Sequence, residues 1–195
     1  MVNDTQVLNN GYPMPSIGLG VYKITDEDME NVVNTAIETG YRAFDTAYFY
    51  GNEVALGKAL QNSGVDREDL FITSKLWNDY QGYDNTIEYF NQSLENLGLD
   101  YIDLFLIHWP CEKDGLYIES YKALEKLYDE GKVKAIGVCN FKQHHLEKLM
   151  EETEVVPQVN QIELHPYFNQ EDVQEFCDNH DIKVTAWMPL MRNRG

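Results

Sequence analysis

Apolar residues recur at helical spacing in six segments of the chain. Three long segments, residues 25–40, 84–98 and 118–131, have apolar positions three or four residues apart and end at a glycine. Shorter segments with this pattern follow Asn52, Phe141 and Asn169. Such spacing places apolar side chains on one face of a helix. The pattern therefore predicts six amphipathic helices, and Thr25 followed by Asp28 marks the start of the first.

Seven short runs rich in β-branched, aliphatic and aromatic residues alternate with these helices. The runs are residues 17–20, 42–44, 70–73, 102–107, 133–138, 159–162 and 182–187. Their composition predicts strands. Strands that alternate with helices at intervals of roughly 25 to 32 residues are typical of βα units, so we expect a parallel sheet. Such a sheet is either doubly wound or closed as a (β/α)8 barrel.

The glycine pattern argues against two common nucleotide-binding motifs. Gly18-Leu19-Gly20 is followed by neither a third glycine nor the start of a helix, so the dinucleotide fingerprint of a Rossmann fold is missing. The GxxxxGK[ST] pattern of a P-loop is also missing from the sequence. A nucleotide cofactor would therefore need a different mode of binding.

The composition is that of one folded domain with a strong negative charge. Of 195 residues, 43% are hydrophobic and 25% are charged, and no low-complexity linker divides the chain, so we expect a single domain over residues 1–195. Fifteen Lys and Arg against 33 Asp and Glu leave a net charge of −18. A field of this sign repels nucleic acid and anionic membrane surfaces, so we expect neither as a partner.

Export and membrane insertion are not indicated by the sequence. Apolar stretches such as residues 104–107 are far shorter than the roughly 20 residues that a membrane helix needs. The first residues have neither the basic region nor the apolar core of a secretory signal. We therefore expect a cytoplasmic protein.

Cysteine and histidine spacing indicates no metal site and no disulfide framework. Cys111, Cys139 and Cys177 are an odd number without CxxC spacing, so we expect reduced packing residues. The five histidines form no HExxH or similar ligand pattern. We therefore expect no bound metal.

Polar residues stand where the predicted strands end. In both candidate architectures the chemistry gathers at the carboxyl ends of the strands. In chain order these positions hold Asp45 and Tyr50, Lys75, His108, Asn140, Gln161 and Glu163, and Trp187. A carboxylate, a phenol, an ammonium and an imidazole would thus converge on one face, which is an acid/base set.

Each of these residues has an ordinary structural role when taken alone. Asp45 can cap a turn, Tyr50 is one of 13 tyrosines, and a histidine such as His108 is often a core residue. Together they form a proton-delivery device. A nearby Lys75 ammonium would lower the pKa of the Tyr50 phenol from about 10 toward neutrality. Asp45 would hold Lys75, and His108 would orient a carbonyl, so addition of hydride plus proton is indicated.

Ordered motifs along the chain closely resemble those of the aldo-keto reductases, in particular the bacterial aldehyde and 2,5-diketo-gluconate reductases. The motifs are GYRAFDTA at 40–47, YGNE at 50–53, TSKLW at 73–77, LDYIDL at 99–104, HWP at 108–110, GVCNF at 137–141 and NQIELHP at 160–166. The resemblance runs from about Gly18 to Gly195. It implies an α/β fold of the (β/α)8 TIM-barrel type and NADPH-dependent reduction of small-molecule aldehydes or ketones.

The resemblance also implies individual roles. Asp45, Tyr50, Lys75 and His108 would be the catalytic tetrad, and Tyr50 would supply the proton. Asn140 and Gln161 would hold the carboxamide of NADP, and Trp187 would stack on its nicotinamide ring. An aromatic substrate pocket would be formed by Tyr22, Phe49, Trp77 and Trp109. The residues before Ile17 would form a hairpin that closes the barrel floor.

The chain departs from the family pattern at several positions. Cys139 and Met188 stand where the family has Ser, and Tyr22 stands where many members have Trp. The sequence stops after the seventh strand, so we expect an incomplete barrel that lacks its last strand, the flanking helices and the segment that recognises the adenosine phosphate. We expect this chain to be destabilised, poorly active and prone to self-association through its exposed edges. Arg192 and Arg194 would attract the pyrophosphate by charge alone.

Two other functions remain open at this point. One is an inactive fragment or binding protein that keeps the tetrad by descent. The other is an aldolase-like barrel in which Lys75 forms a Schiff base with the substrate. The physiological substrate is not indicated by the sequence.

Overall fold

A seven-stranded parallel sheet lies at the centre of this computed structural model, which describes residues 4–113 and 115–191. The described residues form nine strands, and the last seven of them make up this sheet. In chain order the strands are β1 (Thr5–Val7), β2 (Pro13–Pro15), β3 (Gly18–Gly20), β4 (Ala43–Asp45), β5 (Phe71–Leu76), β6 (Ile102–Ile107), β7 (Val133–Cys139), β8 (Val159–Glu163) and β9 (Lys183–Trp187). From β3 to β9 each strand is parallel to the next. This order excludes a doubly wound sheet, whose strand order reverses at a switch point. The predicted (β/α)8-type fold with about seven strands is confirmed.

Each of the six helices connects two neighbouring strands of the sheet. They are α1 (Asp26–Glu38), α2 (Glu53–Asn62), α3 (Tyr83–Leu97), α4 (Tyr117–Asp129), α5 (Gln143–Glu152) and α6 (Glu171–Asn179). The Thr25 hydroxyl accepts from the Asp28 N–H at 3.2 Å, which caps the start of α1. Gly98 ends α3 with a φ of 65°, a conformation that favours glycine. All six predicted helices are present, and none of the described helices has both the length and the apolar run that crossing a bilayer requires.

Apolar side chains fill both faces of the sheet. All six residues of β6 are buried, and their side chains alternate between the faces. Phe105 and Ile107 pack with the helices, whereas Leu104 and Leu106 belong to a separate interior cluster. This double burial explains why the strands appear in the sequence as continuous apolar runs.

A short hairpin at the start of the chain closes one end of this interior. β1 and β2 pair antiparallel, and Met14 packs into the interior cluster. The Tyr12 hydroxyl donates to Asp103 Oδ1 at 2.7 Å, while Arg67 Nη2 lies 2.6 Å from Asp103 Oδ2. Asp103 is in β6 and is 1% exposed, so the hairpin is bonded to the buried end of a central strand. The hairpin that the family resemblance implied is present.

The two edges of the sheet are β3 and β9, as the sequence predicted. Residues of β9 are only partly buried, and Ala186 is exposed. The central strands β5 and β6 are buried throughout. Burial of the described strands of this sheet is therefore highest in the middle and lowest at the two edge strands, β3 and β9.

Helices α2 and α3 approach each other at a glycine. A Cβ atom at Gly57 in α2 would lie 2.2 Å from the carbonyl oxygen of Leu97 in α3. The backbone of Leu97 cannot move away from such a contact as easily as a flexible side chain could. Glycine at this position is therefore required by the close approach of the helices.

We predict that Gly57→Ala lowers the free energy of unfolding by about 1–3 kcal/mol through overpacking. Helix propensity alone would favour Ala by roughly 1 kcal/mol, so a loss identifies the clash. Gly20→Ala is the matched control, because nothing lies within 4 Å of a Cβ there. Urea unfolding of both variants measures the difference. Equal stability of the two variants would contradict the prediction.

Candidate active site

The polar residues at the carboxyl ends of the strands converge on one side of the sheet. Asp45 is the last residue of β4, Lys75 lies near the end of β5, and His108 follows β6. Tyr50 belongs to a 3₁₀ turn, Tyr48–Tyr50, between β4 and α2. These four residues, predicted from sequence as an acid/base set, are neighbours in space.

Lys75 is the most buried member of the group. Its side chain is 1% exposed, and Nζ donates to Asp45 Oδ1 at 2.5 Å and to the Thr46 carbonyl at 2.8 Å. Burial lowers the pKa of Lys75, but the charges of Asp45, Tyr50 and Cys139 outweigh it and raise the pKa above its ordinary value. Lys75 is therefore held as an ammonium. A lysine that forms a Schiff base must be a free amine, so this environment disfavours the aldolase-like reading.

The Tyr50 ring lies between Lys75 and two aromatic side chains. Lys75 Nζ is 5.4 Å from the ring centroid. The Tyr22 ring lies 4.7 Å away, and His108 meets Tyr50 edge-on at 5.9 Å. Gly51, in the left-handed region with a φ of 69°, ends the turn and aligns it with α2. The phenol is thus fixed beside the buried ammonium.

The predicted net lowering of the Tyr50 pKa is wrong. Burial of the phenol raises its pKa more than the Lys75 charge lowers it, and Asp45 and Cys139 raise it further. Lys75 does lower the pKa of Tyr50, as expected, but burial raises this pKa by more. Burial of a half-enclosed ring cannot be read from the sequence, and this accounts for the error.

His108 is held as a neutral imidazole. It is 8% exposed, and burial together with the nearby Lys75 charge lowers its pKa from 6.5 to about 3. A neutral imidazole still has one N–H donor. His108 can therefore donate a hydrogen bond to an oxygen but cannot serve as a cationic acid near neutral pH.

Two amide side chains and an indole complete this side of the sheet. Gln161 Nε2 donates to Asp45 Oδ2 at 2.8 Å. Asn140, at a φ of 64°, donates to the His108 carbonyl at 3.0 Å and accepts from Trp187 Nε1 at 2.8 Å. All three side chains are only partly buried. Amides and an aromatic ring of this kind can hold a planar ring that bears a carboxamide.

Aromatic side chains lie next to Tyr50 and His108. Phe49 stacks on Trp77 at 3.8 Å, and Trp77 meets His108 at 5.4 Å. Tyr22, Phe49 and Trp109 are exposed. Of the four residues predicted as a substrate pocket, Tyr22 contacts Tyr50, Trp77 contacts His108, Phe49 stacks on Trp77, and Trp109 follows His108 in the chain. Arg192 and Arg194 lie outside the described residues.

Several buried polar residues of this region were missed by the sequence analysis. Gln81 Nε2 donates to the Trp109 carbonyl at 2.7 Å, and Asn52 Nδ2 donates to the Val21 carbonyl at 2.9 Å. Glu53, 2% exposed, bonds to side chains of β5 and α3. Asn52 and Glu53 stand close to Tyr50 in the sequence, and this proximity was the signal that they belong to the site. Their partners Val21, Ser74 and Asn96 lie in other segments, so the sequence did not reveal the bonds.

A histidine and glutamate cluster lies beside the loop that carries Trp109. Among the described residues Glu112, His144 and His145 are the group whose ligand-type atoms lie within 4.8 Å of one another. Glu112 Oε1 lies 2.6 Å from His144 Nε2 and 2.7 Å from His145 Nε2. His145 Nδ1 accepts from the Lys142 N–H at 3.0 Å, so Nε2 carries the hydrogen of the neutral ring. A protonated nitrogen is no metal ligand, and the cluster is a tie between the β6–α4 loop and α5.

Comparison with known proteins relates this site to one family. The protein-family sequence model described as "Aldo/keto reductase family" matches residues 16–193 of this chain. The chain is 51% identical over 184 residues to the 9,11-endoperoxide prostaglandin H2 reductase of Trypanosoma cruzi, covering 94% of this chain and 64% of that protein. It is 49% identical to the glyoxal reductase of Bacillus subtilis, covering 99% and 70% of the two chains. The chain thus spans about two thirds of the length of these relatives.

Solved structures give the same relationship. A Gox0644 mutant in complex with NADPH superposes with a TM-score of 0.94 at 44% identity, covering 100% of this chain and 70% of the other. An identity of 44% relates the two chains by sequence as well as by fold.

The buried His108 predicts a pH-dependent stability. Its folded-state pKa of about 3 is below the unfolded value of about 6.5, so its contribution is present above pH 6.5 and is lost as the pH falls. We expect the wild type to lose about 1.4 kcal/mol per pH unit below 6.5 relative to His108→Asn. Urea unfolding between pH 7 and 5 measures this. Exposed His180 supplies the control His180→Asn, and an equal effect of both variants would contradict the prediction.

Proposed function

The chain belongs to the aldo/keto reductase family, and from this premise we propose that it reduces aldehydes or ketones to alcohols with NADPH. The observation that carries the proposal is the contact of a buried Lys75 ammonium with Asp45 beside the Tyr50 phenol. This arrangement provides a positioned proton donor and contains no free nucleophile. The chain spans only 64% of the length of the Trypanosoma cruzi relative, so we propose this activity by inference from the site.

Tyr50 is the proton donor in this proposal. A raised pKa keeps its phenol protonated near neutral pH, and the adjacent Lys75 ammonium stabilises the phenolate that remains after proton transfer. Asp45 holds Lys75 in place and balances its charge. His108, held neutral, donates a hydrogen bond that orients the substrate carbonyl.

The residues at the ends of β7, β8 and β9 fit a nicotinamide cofactor. NADPH, when bound, supplies the hydride. Asn140 and Gln161 offer amide groups to a carboxamide, and Trp187, fixed through its N–H to Asn140, offers an aromatic surface. The Gox0644 structure with NADPH supports this choice of cofactor. Cys139 stands where the family usually has Ser, and its Sγ accepts from Asn140 Nδ2 at 3.1 Å.

Small carbonyl compounds are the proposed substrates. An aromatic pocket formed by Tyr22, Phe49, Trp77 and Trp109 would suit apolar or small dicarbonyl molecules, and the stacking of Phe49 on Trp77 supports it. The name of the Bacillus subtilis relative, glyoxal reductase, is consistent with a small dicarbonyl. The alternative is a chain that keeps the tetrad but does not catalyse the reaction, and turnover of NADPH with an aldehyde panel separates the two.

Self-association through the sheet edges is a second part of the proposal. β3 and β9 are edge strands of the described sheet, and unpaired backbone groups at such edges favour pairing with another chain. The cytoplasmic location and the exclusion of nucleic acid as a partner stay predictions from sequence.

We predict that Tyr50→Phe lowers kcat for aldehyde reduction by about 10²–10⁴-fold, because it removes the proton donor and little volume. NADPH binding, measured by fluorescence titration, should be nearly unchanged. Tyr128→Phe is the matched control, since its hydroxyl contacts Asn10 near the hairpin. A Tyr50→Phe enzyme that keeps more than about a tenth of the rate would sink this assignment.

Stacking of Trp187 on the nicotinamide predicts that NADPH quenches tryptophan fluorescence. We expect most of this quenching to be lost in Trp187→Leu and retained in Trp109→Phe. Titration of both variants with NADPH makes the comparison. Quenching of equal size in Trp187→Leu would place the nicotinamide elsewhere.

A further inference from the structure

Glu53 is a buried carboxylate that the proposed reaction does not use. It is 2% exposed and is the first residue of α2, directly after Tyr50-Gly51-Asn52. No ion pair involves Glu53 among the described residues. Burial of a carboxylate without a cation is costly unless hydrogen bonds satisfy its oxygens.

The two oxygens of Glu53 bond to two other elements of the fold. Oε1 accepts from Ser74 Oγ at 2.6 Å, and Oε2 accepts from Asn96 Nδ2 at 2.9 Å. Ser74 is in β5, and Asn96 is in the last turn of α3. One carboxylate thus joins α2, a central strand and a neighbouring helix.

The bond to Ser74 reaches the strand directly behind Lys75. Successive side chains of a strand point to opposite faces. In β5, Phe71 lies in the interior cluster and Ile72 lies in the cluster with the helices. By this alternation Lys75 points inward to Asp45, and Ser74 points outward to Glu53. Glu53 therefore holds the backbone of β5 from the side opposite the ammonium.

A second set of bonds holds the segment that carries Tyr50. Asn52 Oδ1 accepts from Thr46 Oγ1 at 2.7 Å, and the Thr46 carbonyl accepts from Lys75 Nζ at 2.8 Å. The segment is therefore bonded to Lys75 at one end and, through Glu53, to the neighbour of Lys75 at the other. Displacement of either end would change the separation of the phenol and the ammonium.

We propose that Glu53 is a positioning residue that fixes the Tyr50 turn against β5, so that the Tyr50 hydroxyl and the Lys75 ammonium keep the separation that proton transfer needs. This inference rests on the proposed reductase function. It differs from a merely structural role because it concerns the rate of the reaction at a temperature where the variant is folded.

Steady-state kinetics of the full chain test the proposal, with NADPH and a small aldehyde well below the unfolding temperature. We expect Glu53→Ala to lower kcat at least tenfold while KM for the aldehyde and the Kd of NADPH stay within twofold. Glu53→Gln should recover most of kcat, because an amide of the same shape can bond to Ser74 and to a rotated Asn96 amide. Ser74→Ala, which removes one bond only, should give a smaller loss.

Leu60→Ala is the matched control, because it removes buried apolar contacts of the same helix, α2, and Leu60 takes no part in the bonds of Glu53. A purely structural role would give Leu60→Ala and Glu53→Ala the same kcat at the same loss of stability, and this would overturn the proposal. So would a Glu53→Ala variant whose kcat stays within twofold of the wild type. If Glu53→Ala does not fold, Ser74→Ala is measured in its place, and a kcat equal to that of the wild type would overturn the proposal.

Hydrogen exchange keeps failure of the proposed function separate from failure of this inference. If the wild type reduces no aldehyde, the reductase proposal fails. The positional claim is then decided by exchange in residues 46–52 and 73–76. We expect exchange there to rise in Glu53→Ala and to stay unchanged in Leu60→Ala, while residues 133–139 serve as a reference. Unchanged exchange in Glu53→Ala would refute it.

Discussion

A lysine ammonium buried at the carboxyl ends of the strands is the constraint on which the rest of the site depends. Lys75 is 1% exposed, and a buried cation is tolerated only where acceptors replace its water. Asp45 and the Thr46 carbonyl supply them, so the ends of β4 and β5 must stay in register. The position of the Tyr50 turn follows, because it leaves β4 immediately after Thr46.

Hydrogen bonds carry this constraint to strands that do not pair with each other. Asp45 in β4 accepts from Gln161 in β8, on the other side of the interior. Asn140 after β7 bonds both to the His108 carbonyl after β6 and to the Trp187 indole in β9. The bonds of Gln161 and Trp187 hold the ends of non-adjacent strands at fixed separations, whereas the bond to the His108 carbonyl joins the neighbouring strands β6 and β7. Lys75 also contributes to the neutral state of His108, because its charge helps to lower the pKa of the imidazole.

Strand ends and helices were predictable because their signals are local, whereas partners across the fold were not. Asp45, Lys75 and His108 each follow an apolar run, so their convergence follows from the parallel sheet alone. The hairpin strands β1 and β2 have three residues each and no periodicity, and only the family resemblance implied them. Glu53 and the tie of Glu112 to His144 depend on contacts between distant segments. The Tyr50 pKa depends on burial, which no spacing encodes.

The upward shift of the Tyr50 pKa is compatible with a proton donor once the two states of the phenol are considered separately. Burial destabilises the charged phenolate, so the Tyr50 phenol stays protonated before the reaction. The Lys75 charge acts in the opposite direction and acts only on the phenolate, which forms as the proton leaves. Its stabilising effect is therefore small in the resting state and grows along the transfer, and interactions of this kind lower a barrier. A lysine that only lowered the resting pKa would deplete the donor. In the proposed reaction, a lysine buried beside a protonated phenol would preserve the proton donor and would still assist proton transfer.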